Sequence, residues 1–381
     1  MTLLRLTVLL LTLLLGTQAA AQSQPMPIPA PPVLGAESYV LMDFHSGEIL
    51  AEKNVDLQRD PASLTKVMTA FVVFSELKSG NLTLDEEVLV SEKAWRAPGS
   101  RMFIEVGDRI SVENLLRGMI IQSGNDASVA LAEHVAGSEE TFAALMNQYA
   151  AELGMDNTHY TNAAGLPDPD HYASVEDTAR LVRALIARFP EYYSYYSERA
   201  FTWNDIEQFN RNRMLWQDDS VDGVKTGYTQ AAGYCLATSA SRDGMRLISV
   251  VMGAGTPEAR VQQSKALLNY GYRFFETHRL YAADEAIDTP RIWKGNVDAL
   301  PVGVTEDVYV TIPIRAYERL DARMTIADRL EAPVDFGEPL GELQVSLDGE
   351  PVTRRDIVAL ESVPEGGLVS RTVDSLLLWM N

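Results

Sequence analysis

The sequence predicts an α+β fold. It comprises a mixed domain over residues 37–277, in which a helical cluster lies on an antiparallel sheet, a small all-β domain over 278–367, and an amphipathic helix over 368–381. Three observations predict it. Apolar residues at helical spacing crowd the middle of the first region, and strand patterns separated by tight turns close it. After His278, apolar residues such as Val308, Val310, Ile312 and Ile314 alternate with less apolar ones between Gly, Pro and Asp turns.

Taken in order, residues 1–21 carry one basic residue, Arg5, a leucine-rich run from Leu6 to Leu15, and small residues at Ala19 to Ala21. About ten apolar residues are too few to span a bilayer, and the small residues suit a cleavage site, so this stretch reads as a secretory signal peptide. The mature chain then starts near Gln22 and works outside the cytoplasm. Residues 22–36, with Pro25, Pro27, Pro29, Pro31 and Pro32, read as a polyproline-like lead-in. SYVLMDFHSGEILAEKN (Ser38 to Asn54) reads as a hairpin about His45-Ser-Gly-Glu, and Pro61 to Leu77 as a helix apolar nearly all round, hence buried. SVENLLRGMIIQ and DASVALAEHVAG read as two further helices. VDGVKTG, Tyr234 to Ala240 and Met245 to Met252 read as strands, and Pro257 to Phe275 as a helix. Pro313 suits an edge strand. Residues 368–381 place Leu368, Val369, Val373, Leu376, Leu377, Trp379 and Met380 on one broad helical face, with Ser370, Arg371, Asp374 and Ser375 opposite.

Composition excludes several classes. Asp and Glu number 53 against 32 Lys and Arg, giving a formal net charge of −21, which repels phosphate backbones and argues against nucleic acid. The single cysteine, Cys235, cannot form an intramolecular disulfide. Five histidines with no HExxH or CxxC leave no readable metal site, and no cofactor is implied.

The chemistry-bearing words occur twice. SELKSGN (Ser75 to Asn81) packs a Ser-x-x-Lys and a Ser-Gly-Asn together, while SLTK (Ser63 to Lys66), SGN (Ser123 to Asn125) and KTG (Lys225 to Gly227) lie far apart. A Ser-x-x-Lys arises by chance about once or twice in a chain of this size, so position must decide. Ser63 opens the buried helix, where free N–H groups and the helix dipole favour developing negative charge, and Lys66 lies one turn on along the same face. Ser75 sits twelve residues later on that helix, about 18 Å along the axis and about 120° around it. Gly80 reads as a helix C-terminal cap, which makes Ser79-Gly80-Asn81 punctuation. Ser123-Gly124-Asn125 instead joins two apolar helices, where polar side chains can be aimed into a cleft from a rigid scaffold. Lys225-Thr226-Gly227 lies on a strand, and Gly227 lets a ligand approach the backbone. With no histidine in a GxSxG-like setting, Lys66 is the candidate base for Ser63, provided burial and Lys225 hold it neutral.

The three elements in this order form the signature of penicillin-recognising serine enzymes. With ASLTKVMTA, RGMIIQSGNDASVALAEHVAGS, NRNRMLWQ, VDGVKTGYTQAAGYCL and MRLISVVMGA, the chain resembles the low-molecular-mass penicillin-binding proteins of the serine-type D-alanyl-D-alanine carboxypeptidase family. The resemblance implies a β-lactamase/transpeptidase-like domain, a β-rich domain and a terminal anchor helix. It implies Ser63 as nucleophile, Lys66 as general base, Ser123 as proton relay, Asn125 on the substrate amide and Lys225 as an electrostatic group. The oxyanion hole would be the backbone N–H groups of Ser63 and Tyr228, and Thr226 with Arg260 would hold the substrate carboxylate beside Gly227. Tyr228 departs from the histidine or threonine common at that place. The implied substrates are peptidoglycan stem peptides, with β-lactam antibiotics as covalent inhibitors. The implied location is periplasmic, on the outer face of the cytoplasmic membrane through the C-terminal helix. Because Arg371 is offset by Asp374, binding there would rest on apolar burial rather than on anionic lipid. A DD-endopeptidase, a weak β-lactamase and a non-catalytic wall scaffold stay open as alternatives, although Glu207-Gln-Phe-Asn does not fit the spacing of a deacylating glutamate loop.

Overall fold

The computed structural model describes residues 28–380, so the signal-peptide reading and the start of the lead-in lie outside the described residues. The described part of the lead-in has no regular structure and is tied down where the Tyr270 hydroxyl donates to the Pro29 carbonyl (3.1 Å).

Strands β1 (Ser38–Asp43) and β2 (Ile49–Lys53) make the hairpin, and β3 (Val221–Thr229), β4 (Gly233–Arg242) and β5 (Met245–Ala254) make the later meander. Together they form one five-stranded sheet in the order β2-β1-β5-β4-β3, with every neighbouring pair antiparallel. The tight β4–β5 turn needs left-handed backbone at two successive residues, which Asp243 (φ 50°) and Gly244 (φ 86°) supply. Strand β3 therefore lies on an edge, with one side of its backbone free of a neighbouring strand.

Helices α1 (Lys66–Lys78), α2 (Val112–Ile121), α3 (Asn125–Ala136), α4 (Glu139–Glu152) and α5 (Val175–Arg188) cluster on one face of the sheet, and α6 (Pro257–Phe274) covers the other. Ser111, Ser138, Ser174 and Thr256 each cap a helix by accepting an N–H three residues on, a contact worth ~1 kcal/mol. Helix α1 is buried without a break from Lys66 to Phe74, so its first turn is held rigidly from all sides. One sequence expectation needs correction. The chain does not run as one helix from Pro61, but makes a tighter 3-10 turn over Ala62–Thr65 before α1 begins. Ala62 is held left-handed (φ 47°), with its N–H on the Asp60 carboxylate at 2.7 Å, which prevents an α-helical start.

Strand β6 (Phe275–Tyr281) continues directly from α6, spanning the 277/278 position where the sequence suggests a boundary, and pairs with β7 (Val308–Pro313). Strands β8 (Leu320–Ile326), β9 (Pro339–Leu347) and β10 (Glu350–Ala359) form an antiparallel meander over a separate core that includes Val302, Val310, Leu343, Val345 and Ile357. The two regions meet where the buried Asp43 carboxylate accepts the Thr277 hydroxyl (2.7 Å) and His45 stacks on Tyr309 at 4.5 Å between centroids.

The terminal helix α7 (Leu368–Met380) is present, and it corrects two sequence inferences. Asp374 does not offset Arg371: it is buried against Arg291 and Lys294, while Arg371 pairs with Glu365 at 2.7 Å. Gly366-Gly367, which in the sequence reads as a hinge before the helix, is not a loose link either: the Gly366 N–H donates to the Lys294 carbonyl at 2.8 Å, and a Cβ there would collide with the Gly295 carbonyl oxygen.

Candidate active site

The site is assembled around the 3-10 turn. Asp60 ties that turn to the edge strand by accepting both the Ala62 N–H and the Thr229 hydroxyl (2.6 Å). Gly227 completes the approach, since a Cβ at that position would lie 3.0 Å from the Pro61 carbonyl and 3.2 Å from the Ser63 nitrogen. From the other side a loop presses on Ala62 through Gly165 (φ 77°), where a Cβ would collide with the Ala62 carbonyl. That loop is made rigid by Asn162, whose side-chain oxygen accepts the N–H groups of Ala164 (3.2 Å), Gly165 (2.8 Å) and Leu166 (3.0 Å).

Lys66 is 1% exposed, yet its ammonium position is surrounded by acceptors. Nζ lies 3.0 Å from Ser63 Oγ, 2.7 Å from Asn125 Oδ1 and 2.5 Å from the Ala164 carbonyl. Burial, followed by the field of Arg211, lowers the Lys66 pKa to about 7, with Asp126 pulling weakly the other way. Lys225 is also buried, and burial together with Lys66, Arg211 and Arg260 pushes its pKa well down.

Ser123 sits at the break between α2 and α3 with left-handed backbone (φ 68°), a costly conformation for a residue with a side chain. Its hydroxyl is buried and has no hydrogen-bond partner among the described residues, so it is free to serve a ligand. Gly124 allows the break, because a Cβ would fall 2.8 Å from Asp126 Oδ1 and 3.1 Å from the Met102 nitrogen. Asn125 is already engaged: its oxygen accepts from Lys66, and Nδ2 donates to the Pro98 carbonyl at 2.6 Å.

Ser63, Ser123, Asn125, Thr226, Gly227, Tyr228 and Arg260 share the lining of one cavity of about 550 Å³, whereas Lys66 and Lys225 are buried and do not line it. Arg260 reaches in from α6, donating to the Gly227 (3.1 Å) and Cys235 (3.3 Å) carbonyls, while Glu258 pairs with Arg213 instead. Tyr228 is exposed at the rim and stacks on Tyr234 at 4.3 Å between centroids. Sequence reasoning missed Arg211 and the Ala164 carbonyl. Arg211 lines the same cavity and, among the described residues, forms no ion pair; its place in the NRNRMLWQ segment that carries part of the resemblance was the available signal. Ser75 is elsewhere: its hydroxyl bonds back to the Phe71 carbonyl (2.9 Å), and Gly80 ends the helix with φ 76°. A larger groove of about 750 Å³, lined by Phe44, His45, Arg180, Arg183 and Glu306, contains none of these residues.

Comparison with known proteins gives the family. A family model described as D-alanyl-D-alanine carboxypeptidase matches residues 25–256, and one described as the C-terminal domain of penicillin-binding protein 5 matches 275–365. The D-alanyl-D-alanine carboxypeptidase DacA of Escherichia coli K12 is 41% identical over 359 residues, covering 92% of this chain and 89% of the relative. The structure of penicillin binding protein 5 from Haemophilus influenzae aligns with a TM-score of 0.85 at 40% identity, over 88% of this chain and all of that one. An ampicillin-bound structure of Penicillin-Binding Protein D2 from Listeria monocytogenes aligns with a TM-score of 0.59 at 31% identity, over 64% of this chain and 100% of that one. The helical cluster on an antiparallel sheet, the β-rich region beyond it and these matches establish that the chain belongs to the D-alanyl-D-alanine carboxypeptidase family of penicillin-binding proteins.

Proposed function

We propose that the protein removes the terminal D-Ala from peptidoglycan stem peptides by way of an acyl-enzyme on Ser63, and that penicillins acylate the same hydroxyl. The observation that carries this reading is the set of acceptors around Lys66. In the neutral amine, two N–H bonds are held by Asn125 Oδ1 and the Ala164 carbonyl, so the lone pair is left facing Ser63 Oγ at 3.0 Å. A pKa near 7 makes that neutral form abundant at neutral pH without a histidine.

Ser63 Oγ attacks the carbonyl carbon of the penultimate D-Ala while Lys66 takes the hydroxyl proton. Negative charge then develops on the substrate oxygen. The N–H of Ser63, in a first turn with no intrahelical acceptor, and the N–H of Tyr228 on the edge strand are the donors assigned to it. When the C–N bond breaks, the amine of the departing D-Ala needs a proton. Ser123, whose buried hydroxyl has no hydrogen-bond partner among the described residues, is the group assigned to pass it the proton taken up by Lys66. Water then hydrolyses the ester. Arg260 and Thr226 receive the free carboxylate of the substrate. That anion also restores the charged form of Lys225, since an opposite charge nearby favours the ammonium that burial disfavours. The free side of β3 offers backbone groups to an extended peptide. The ampicillin-bound relative supports β-lactam binding by this chain.

Removing Arg260 by Arg260→Ala is expected to lower kcat/KM for a free-carboxylate peptide by about 10- to 100-fold, the equivalent of ~1.5–3 kcal/mol for a charged hydrogen bond. An amidated peptide is expected to lose much less. Equal losses on the two substrates would take Arg260 out of the carboxylate pocket.

The mature chain is further proposed to start near Gln22, to act on the periplasmic side, to divide near residue 277 into a peptidase and a β-rich domain, and to touch the outer face of the cytoplasmic membrane through α7. Leu368, Val369, Val373, Leu376 and Trp379 are all exposed, an apolar surface unusual for a soluble helix. No helix among the described residues is long and apolar enough to cross a membrane. The mature protein is expected to co-sediment with lipid vesicles and to stay bound in high salt. A chain ending at Gly367 is expected to stay in the supernatant with unchanged activity on small peptides. Full-length protein that remains soluble with neutral and anionic vesicles alike would remove the membrane contact.

A further inference from the structure

A helix that packs back on its own domain normally buries its apolar face. Helix α7 does the reverse. Asp374, near its middle, is 8% exposed, whereas Leu368 is 83%, Val369 79% and Trp379 87% exposed. One Asp374 oxygen accepts the backbone N–H of Lys294 at 2.6 Å, and the other accepts from Arg291 at 3.3 Å. The Arg291 guanidinium is itself held flat over the Trp293 ring, 3.7 Å from its centroid. On the same side Ser370 Oγ reaches the Gly295 carbonyl (3.4 Å), and Glu365 bridges to Gly295 through backbone. The polar face of α7 is thus bonded to residues 291–295 of the β-rich region, and the Gly366 N–H just before it is bonded to the Lys294 carbonyl.

Two exposed apolar residues of the β-rich region flank this attachment. Val297, 45% exposed, follows Asn296, whose N–H donates to the Pro364 carbonyl at 3.2 Å. Phe336, 59% exposed, donates its N–H to Ser362 Oγ at 2.9 Å. Both therefore lie beside the segment that leads into α7. The cations here are matched by carboxylates, Arg291 by Asp374, Lys294 by Glu331 and Arg371 by Glu365, so the surface has little net charge to attract anionic lipid.

We propose that Asp374 is a latch that docks the polar face of α7 on the β-rich region, so that the outward apolar face, together with Val297 and Phe336, forms one bilayer-facing surface of fixed orientation. This rests on the reading of α7 as a membrane contact, and it replaces a flexible tether with a rigid one. The catalytic cleft would then stand at a set height and angle over the lipid. A lipid bilayer is the occupant that fits, because the face is apolar, its charges are paired, and its inward side is already used.

The latch is tested first without lipid. In the mature full-length protein, Asp298→Cys and Ser375→Cys, both exposed positions, carry spin labels; Cys235 is buried and stays unlabelled. One narrow distance distribution is expected. Asp374→Ala should broaden it, whereas Asp374→Asn, which keeps an acceptor for the Lys294 N–H, should largely preserve it. A distribution that is broad in the parent, or unmoved by Asp374→Ala, overturns the latch whatever the protein does with lipid. The shared surface is tested separately with neutral phosphatidylcholine vesicles. Phe336→Asp and Val297→Asp should each lower partitioning about tenfold while leaving the lipid-free distance unchanged. Unchanged partitioning overturns their part in the surface. A parent that binds no vesicles, or that buries Trp379 by self-association in lipid-free solution, overturns the membrane reading, while the distance measurement still reports on the latch.

Discussion

Substituting Ser63 by alanine is expected to lower kcat/KM for D-Ala-D-Ala peptides by about 10⁴-fold or more, because among the described residues no other hydroxyl is hydrogen-bonded to Lys66. The size of the effect follows from the geometry. Ser123, another serine that lines the cavity, is buried with strained backbone, and the bond to Lys66 is made by Ser63. Stability should hardly change, since Ser63 is only partly buried and alanine fits the 3-10 turn. Ser75→Ala is the matched control: it removes a bond to the helix's own Phe71 carbonyl and is expected to leave both kcat/KM and penicillin acylation within about twofold of the parent. Steady-state kinetics on the two variants, with thermal melting to check folding, separates them. A Ser63→Ala enzyme that retains more than about a hundredth of the activity would require another nucleophile.

The second large effect belongs to Lys66. Lys66→Ala is expected to slow acylation by about 10³- to 10⁴-fold, the scale of a lost general base. Lys66→Arg should be nearly as poor although it keeps the positive charge, because a guanidinium stays protonated throughout the accessible pH range. The pH profile gives an independent check. Lys66 has its pKa lowered from 10.5 to about 7, so it is neutral above that value and protonated below it. Acylation should therefore rise with pH through about 7 and level off above it, as the lone pair facing Ser63 becomes available. A rate that is flat from pH 5 to 9, or a Lys66→Arg enzyme of near-parental rate, would exclude Lys66 as the base.

The α+β reading was accessible from sequence because its signals are local. Alternation along β7 and β9, the Asp243-Gly244 turn, and the serine and threonine caps of α2, α4, α5 and α6 all act over a few residues. The Ser63–Lys66 pair is local too, three residues apart on one turn. Contacts made across long stretches of chain were not accessible. The Ala164 carbonyl that orients Lys66 lies 98 residues away, and a backbone group leaves no mark on side-chain pattern. Asn125 could be read as a polar residue near the cleft, but its hold on Lys66 depends on how α3 meets α1. The 3-10 turn was missed because the Asp60 bond to the Ala62 N–H is local but the approach of Gly165 to Ala62 is tertiary. The same limit applied to α7. Its two faces were legible from spacing, but the choice of which face turns inward was made by Lys294 and Arg291, some 80 residues upstream.

Placing the acyl-enzyme on Ser63, ahead of the other candidate motif that begins on α1, is tested most directly by labelling the mature protein with a fluorescent penicillin, digesting it and locating the adduct by mass spectrometry. One adduct per chain is expected, on Ser63 in the ASLTKVMTA segment, forming faster as pH is raised through about 7. An adduct on Ser75 or Ser123 instead, or stoichiometric labelling of the Ser63→Ala protein, would contradict it.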